Sequence, residues 1–269
     1  MSRALLSILW QTVSMNAGRT ARERARAELT DEIKSVARRQ LATDGAQGLS
    51  LRAVSRELGM VSSALYRYFP SRDDMLTALI IDAYDTLGEA AEAAAVRSGA
   101  SFAVGGAAPD AEPPDGGAAP APGSWDPLGT WAAVFSAVRD WARSNPQEYA
   151  LIYGSPVMGY QAPQTTVQPA IRVPLLMLGI LQQAHAEGRL ASLDDAPEPD
   201  GVLAGQVSVL VGLAPGLPPR VLLRMVIVWT QLFGMISFEL FGQLVGSMDP
   251  ADEFFASATR QMATFVGLT

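Results

Sequence analysis

Apolar residues recur at intervals of three and four along most of the chain, which is the spacing of one face of an α-helix. Between residues 22 and 44 this stripe consists of Leu29, Ile33, Val36, Ala37 and Leu41. No segment shows the apolar–polar alternation that is typical of a half-buried strand. The pattern therefore predicts an all-α protein.

Capping and turn residues divide the first third of the chain into further helices. The predicted helices cover 51–58, 62–68 and 71–97. Ser50 can cap the first of them, Gly59 would end it, and Pro70 would close the second. Two short helices joined at a glycine turn are typical of a helix-turn-helix, so the sequence predicts a small DNA-binding domain.

Residues 99–124 differ from the rest of the chain, because Gly, Pro and Ala supply 19 of these 26 positions. This composition favours a flexible loop without a core. Further helices are expected to begin near residues 126, 145, 171, 201, 218 and 249, the last with Phe254, Phe255, Ala258, Met262 and Phe265 facing inward. The predicted organisation is a disordered tail or mis-assigned start over 1–18, a helix-turn-helix domain over 19–85 with its connecting helix over 71–97, a flexible loop over 98–125, and a ligand-binding and dimerisation domain over 126–269.

Charge is distributed unevenly over the 269 residues. The whole chain carries a net charge of −7, but residues 1–80 hold twelve Lys and Arg against eight Asp and Glu. A basic module on an acidic body points to nucleic acid. The chain has no Cys and one His, which exclude disulfides, cysteine nucleophiles and multi-histidine metal sites. No G-x-S-x-G motif, phosphate-binding loop or metal cluster is present, so neither an enzyme nor a cofactor is expected.

Two segments raise the question of secretion or membrane association. The apolar run near the N-terminus is short and lacks a cleavage site, so a start at Met15 is favoured over a signal peptide. The apolar stretch over 217–246 contains Arg220, Arg224 and Glu239, which favours a buried or interface helix over a membrane span. A cytoplasmic protein is therefore expected.

One string of residues carries a family resemblance over about 22–85. The sequence LSLRAVSRELGMVSSALYRYFPSRDDML, with Gly59 at the turn and the pair Tyr68-Phe69, resembles the DNA-binding domain of TetR-type regulators. Val61 stands where the family usually has a serine, so we expect Ser62 to take over as the cap of the second helix. The resemblance implies a homodimeric, ligand-responsive transcription regulator. In that family, repression is a commoner mode of regulation than activation.

The C-terminal body resembles the Trp-His-Gly subclass of the same family. The segment YALIYGSPVMGY over 149–160 is similar to its central motif, and Trp229 with Phe233-Gly234 stands where the Trp and His-Gly would be. Because Phe replaces His here, any role of that imidazole is lost.

Physical chemistry divides the candidate DNA contacts into two groups. Arg67, Arg72 and Tyr66 suit phosphates, with Ser50 at a helix N-terminus assisting. Ser62, Ser63 and Arg52 are candidates for base edges, although serine reads bases ambiguously. Tyr68 is counted with the DNA contacts, the alternative being that it packs beneath Phe69.

Aromatic and Met residues cluster in the acidic body. Together with the family resemblance they predict an apolar ligand pocket, and the alternative is that most of them belong to the core. The candidate lining residues are Trp131, Phe135, Tyr153, Met158, Tyr160, Met177, Leu181 and Gln182. No basic residue lies between Arg143 and Arg172, which favours a neutral or cationic effector. The apolar segments after residue 200 predict a two-fold dimer contact through Val209, Leu222, Trp229, Phe233 and Phe238; the alternative is that the long helix is internal.

The sequence thus predicts a ligand-responsive DNA-binding regulator, a repressor that binds an inverted-repeat operator as a homodimer and is released by a small, mostly apolar effector. The partners expected are double-stranded DNA, this effector and a second copy of the chain. The alternatives are a membrane-associated or structural helical protein and an enzyme with an incidental helical N-terminus.

Overall fold

The computed structural model describes residues 3–100, 125–193 and 197–269, with side chains from Arg22 onward. The helices are α1 (Arg3–Gly48), α2 (Leu51–Glu57), α3 (Ser62–Leu65), α4 (Arg72–Arg97), α5 (Pro127–Ser144), α6 (Pro146–Tyr153), α7 (Val167–Ala170), α8 (Arg172–Ala186), α9 (Gly201–Leu213), α10 (Pro219–Leu240) and α11 (Asp252–Phe265). A 3₁₀ turn at Gln164–Thr166 precedes α7. Every regular element of the described ranges is helical, which confirms the predicted all-α class.

Several helix limits differ from the prediction. Helix α1 begins at Arg3 instead of near residue 22, and Gly45 interrupts its helical backbone at φ 68° and ψ 177°. Helix α3 ends at Leu65 instead of 68, and α10 ends at Leu240 instead of 244. The predicted loop over 98–125 lies almost wholly outside the described residues, as do the side chains of the predicted tail over 1–18, so both stay predictions.

The chain forms two compact units. The first comprises residues 1–79 with 157–160, and the second comprises 80–156 with 161–269. In the first unit, α1 buries Ile33, Val36, Ala37 and Leu41, as its stripe predicts. Leu51 and Val54 of α2, Leu65 of α3 and Leu76 of α4 are buried as well, so α1, the two short helices α2 and α3, and the start of α4 share one small core.

The second unit is built around large buried side chains from α5, α6, α8 and α10. Its fully buried residues include Trp131, Phe135, Tyr149, Met177, Leu181 and Leu222. The Tyr149 hydroxyl lies 2.8 Å from the Phe233 carbonyl oxygen, to which it donates, and burial raises the Tyr149 pKa to about 12. In α11, Phe255 and Met262 face inward as predicted, but Phe265 does not. The Phe265 ring is 39% exposed and lies 4.7 Å from the Arg224 guanidinium, which covers one of its faces.

Helix α10 has the length and apolar composition of a membrane span, by those two criteria alone. Its inward face, however, carries Val221, Leu222 and Met225 into the core of the second unit. Its charged residue Glu239 pairs with Arg139 of α5. A helix that buries one face and holds an ion pair is the core helix of a helical domain.

An arginine clamp fixes α4 against the start of α8. Arg172 donates to both carboxylate oxygens of Glu92, at 2.8 and 2.7 Å, and to Asp85 at its side chain and backbone oxygens. These charge-assisted bonds, the one to Glu92 first, raise the Arg172 pKa. The arginine crosses α4 directly over Gly88, where a Cβ would lie 2.5 Å from its Nε. Gly88 is therefore the residue that lets the clamp form.

We expect Gly88→Ala to lower the free energy of unfolding by about 1–3 kcal/mol, since the arginine is held at four bonds and has little freedom to move. Gly205→Ala is the matched control, because α9 leaves open space around that position. The control should gain up to about 1 kcal/mol from helix propensity. Urea titrations of both variants measure the difference, and a G88A protein as stable as the control would contradict the clamp.

Candidate DNA-binding surface and effector domain

The turn between α2 and α3 is set by local hydrogen bonds. Ser50 caps α2 as predicted, since its Oγ accepts from the Ala53 N–H at 3.4 Å. Gly59 adopts φ 65°, a left-handed conformation that favours glycine, and this directs the chain into the turn. The Met60 N–H then donates to the Ser55 carbonyl oxygen at 2.8 Å. The turn therefore holds α3 at a fixed angle to α2.

A pair of serines joins α2 to α3. The Ser55 hydroxyl donates to the Arg52 carbonyl oxygen at 2.9 Å, so its oxygen is left to accept from Ser62, whose Oγ lies 3.1 Å away. The expectation that Ser62 caps α3 is wrong: Val61 is the cap residue, with no side-chain bond. The Ser62 hydroxyl is half-buried and engaged with α2, so we leave it out of the proposed base contacts.

The outer side of this motif presents what we call the reading surface: Val61, Ser63, Tyr66 and Arg67. All four side chains are exposed, Val61 by 69% and Tyr66 by 42%. Leu65 and Phe69 of the same segment are buried, and they anchor it to the core of the first unit. No side-chain partner for Arg67 lies in the described part of the chain. An unpaired arginine and a tyrosine hydroxyl on a rigid support are suited to phosphate oxygens.

Two predicted DNA residues have partners inside the protein. Arg72 donates to the backbone oxygens of Ala46 and Leu49, at 2.6 and 3.2 Å, and thus holds the end of α1. Tyr68 packs against Arg26, whose guanidinium lies 5.1 Å from its ring centroid. Sequence reasoning missed Arg26, although the basic string over 22–26 could have pointed to it. Arg52 is exposed and keeps its predicted place at the surface.

The predicted ligand residues are not brought together at one cavity. Met158 and Tyr160 belong to the first unit, where Met158 is 83% exposed and the Tyr160 hydroxyl lies 2.9 Å from that of Thr77. Tyr153 is half-buried with its ring stacked 4.0 Å from Phe233, and burial raises its pKa. Gln182 donates to the Pro215 carbonyl oxygen at 3.3 Å.

The other four predicted ligand residues are fully buried: Trp131, Phe135, Met177 and Leu181. Of the eight, Trp131 alone lines the cavity of about 520 Å³ between α5 and α11. The aromatic cluster of the sequence is thus mostly core, which is the commoner fate of such residues.

The predicted dimer residues divide by exposure. Leu222 and Phe233 are buried within the protomer and have almost no surface left for a partner, so we leave them out of the proposed interface. Val209 and Phe238 are exposed by 68% and 56%, and Trp229 is half-buried. Ile227, Gly234 and Phe238 follow one another at helical spacing on the outer side of α10. We call these three residues the α10 stripe.

Comparisons with known proteins agree with this architecture. The profile of the bacterial regulatory proteins of the tetR family matches residues 33–79, and that of the tetracyclin repressor-like C-terminal domain matches residues 131–262. The first match contains α2, α3 and the turn at Gly59. The second contains the helices that build the core of the second unit. The finer resemblance to the Trp-His-Gly subclass stays a prediction.

Relatives extend over almost the whole chain. The HTH-type transcriptional regulators Rv1816 of Mycobacterium tuberculosis and Mb1846 of Mycobacterium bovis are each 37% identical over 250 residues, covering 91% of this chain and 94% of theirs. The crystal structure of the regulatory protein SCO4313 is 30% identical, with a TM-score of 0.66, and covers 90% of this chain and 98% of that one. These similarities do not favour the membrane-associated or structural alternative. The chain belongs to the TetR family of helix-turn-helix transcriptional regulators and is not an enzyme.

Proposed function

We propose that the protein is a cytoplasmic repressor that binds an inverted-repeat operator as a homodimer and releases it when a small molecule binds the second unit. The DNA-binding part of this proposal rests on the reading surface. Its side chains are exposed, its arginine is unpaired in the described residues, and buried Leu65 and Phe69 hold it in place.

Contacts to phosphate should dominate affinity, and contacts to bases should be few. Arg67 and Tyr66 are the phosphate-binding candidates. Arg52, which is exposed on α2, stays a candidate for a base edge. Ser63 is the polar base-reading candidate that remains on α3, and Val61 offers an apolar contact of the kind that suits a thymine methyl. A short recognition helix with so few base-reading side chains specifies a DNA site only when two protomers bind side by side. This requirement supports a dimer on an inverted repeat.

The dimer is supported by the apolar surface of α9 and α10. Helix α9 exposes most of its apolar residues: Val202, Leu203, Val209, Val211 and Leu213. The α10 stripe adds Ile227 and Phe238, and open space surrounds Gly234, which would permit close helix approach. An exposed apolar surface that extends over two helices is unusual on a monomer. A two-fold contact between identical faces is the commonest way to cover such a surface.

The deciding experiment is a fluorescence anisotropy titration of the full chain on DNA flanking its own gene, over a salt series. We expect a tight complex at an inverted repeat whose affinity falls steeply as salt rises. Binding no tighter than about 10⁻⁴–10⁻⁶ M at physiological salt is non-specific. That result, together with an unproductive genome-wide selection of binding sites, would reject the operator-binding proposal.

We expect Arg67→Ala to weaken operator binding by about tenfold and to reduce the salt slope by about 1, because one phosphate contact is lost. Arg97→Ala is the charge-matched control, since Arg97 is exposed at the end of α4 in the second unit. Unchanged affinity of R67A at matched salt would remove Arg67 from the DNA-contacting residues.

A further inference from the structure

The core-facing stripe of α1 continues beyond the core of the first unit as arginines. From Arg22 onward, Ile33 is the first fully buried residue of the helix, and Leu29, one turn earlier, is half-buried. Arg26 and Arg22 precede Leu29 by three and seven positions, so both lie on the same face of α1 as this stripe. At 1.5 Å per residue, Arg26 lies about 10 Å and Arg22 about 16 Å beyond Ile33 along the helix axis. The face of α1 that packs against the domain therefore extends past the core and carries two positive charges there.

These two charges are not neutralised within the described part of the chain. Arg22 and Arg26 are both exposed, and neither guanidinium forms an ion pair or a hydrogen bond with a described residue. The acidic residues of this stretch, Glu23 and Glu28, are rotated from Arg22 by about 100° and about 120° around the helix, so they fall outside the stripe. The stripe thus presents guanidinium groups that are available to an anionic partner.

Arg26 is held against the segment that carries the reading surface. Its guanidinium lies 5.1 Å from the ring centroid of Tyr68, which is half-buried and follows Arg67 in the chain. The Tyr68 N–H donates to the Leu65 carbonyl oxygen at 2.8 Å, so the tyrosine is fixed to the recognition segment. A guanidinium that stacks on an aromatic ring contacts it through its plane and keeps the N–H groups of its edge free to donate. Arg26 is therefore preorganised for an anion at the edge of the reading surface.

We propose that Arg22 and Arg26 form a second DNA contact, which binds phosphate oxygens beside the reading surface, and that Tyr68 positions Arg26 for it. The inference rests on the proposed DNA-binding function and deepens it, because it assigns binding residues outside the α2–α3 motif. When a recognition helix occupies the major groove, the helix packed beside it meets the sugar–phosphate backbone. Forked guanidinium groups suit phosphate oxygens, and such contacts fix the protein on the duplex without reading its sequence. Tyr68 then supports a DNA contact through Arg26 instead of making one.

The chain offers a matched control on the same helix. Arg24 is exposed and carries the same charge, but it lies about 200° from Arg22 around α1, on the opposite face. The test is a fluorescence anisotropy titration of the full chain over a salt series, on the operator and on an unrelated duplex of the same length. Arg22→Ala and Arg26→Ala should each weaken binding by about threefold to tenfold and reduce the salt slope by about 1. Both duplexes should show the same factor, and Arg24→Ala should stay within about twofold of the wild type.

Variants of Tyr68 test the positioning role. Tyr68→Phe keeps the ring under Arg26 and should bind DNA as the wild type does, whereas Tyr68→Leu removes the ring and should weaken binding. Adding Tyr68→Leu to Arg26→Ala should cause no further loss, because the ring acts through that arginine. Arg26→Lys keeps the charge and should retain the salt slope of the wild type. Melting temperatures from circular dichroism check that each variant is folded.

Four results would overturn the proposal: wild-type affinity and salt slope in R26A, an equal loss in R24A, a loss confined to the operator, or a loss in Y68F as large as in Y68L. The unrelated duplex keeps this inference separate from the operator proposal. If no inverted repeat is bound tightly, the operator proposal fails, and the difference between R26A and R24A on the unrelated duplex still decides the second contact. Tight operator binding without that difference on either duplex would reject the second contact alone.

Discussion

Replacing Arg139 with Met is expected to lower the free energy of unfolding by about 3–5 kcal/mol, the typical cost of removing one partner of a buried ion pair. Arg139 is buried at the contact of α5, α10 and α11. It donates to both oxygens of Glu239 at 2.7 Å and to Asp252 at 2.9 Å. The loss leaves Glu239, whose side chain is 17% exposed, without its bidentate donor.

Arg143→Met is the matched control for this prediction, one turn further along α5. Its guanidinium contacts the same two carboxylates at 3.9 and 3.4 Å, but its side chain is 49% exposed. An exposed pair contributes about 0–1 kcal/mol, so R143M should be nearly neutral. Urea denaturation followed by circular dichroism measures both variants. A cost below about 1 kcal/mol for R139M would show that the ion pair contributes little net stability.

Acid should diminish the difference between the wild type and R139M. The hydrogen bond from Arg139, reinforced by its charge, holds the pKa of Asp252 below its ordinary value of 3.8. A carboxylate with a lowered folded-state pKa stabilises the fold at neutral pH and loses that contribution as pH falls through the folded-state pKa. The difference in stability between the two proteins should therefore narrow below about pH 4, by the part that the Asp252 contact contributes. A difference that stayed constant into this range would argue against the Asp252 contact.

The sequence predicts the local features of this fold well, because those features depend on neighbouring residues. Ser50 caps α2, Gly59 makes the turn and the stripe of α1 is buried, all of them signals that lie within a few positions. The limits of α3 were less predictable. Its last predicted turn contains Arg67 and Tyr68. Their backbone N–H groups donate to the carbonyl oxygens of Ala64 and Leu65, three residues back, in a turn instead of a continued α-helix.

The site residues that escaped prediction are those defined by distant parts of the chain. Arg139 and Glu239 are 100 positions apart, and no local pattern couples them. Thr259 reads as one polar residue of an amphipathic helix until the packing of α11 against α5 leaves it buried without a partner. Conversely, Phe135 and Met177 are residue types that suit a ligand pocket, yet both are fully buried in the core. Residue type predicts burial, whereas the geometry of helix packing decides which buried side chains line an opening.

Replacing Phe238 with Glu is expected to weaken dimerisation by about 100-fold or more, since a charge would be desolvated within the proposed apolar contact. Phe238 is 56% exposed in the protomer, so the substitution should leave the monomer folded. Sedimentation velocity over a concentration series measures the dimer, and circular dichroism checks the fold. Val96→Glu is the control, because Val96 is 57% exposed, as much as Phe238, and belongs to another helix, α4.

The same variant connects the dimer to DNA binding. Two reading surfaces on one operator add their binding free energies, whereas a monomer keeps only the contacts of one half-site. F238E should therefore lose tight operator binding while it retains weak, salt-sensitive binding to a half-site, and V96E should behave as wild type in both assays. If F238E remains dimeric and binds the operator normally, the α10 stripe is not the dimer contact. The exposed apolar face of α9, with Val209 at its centre, would then be the next surface to substitute.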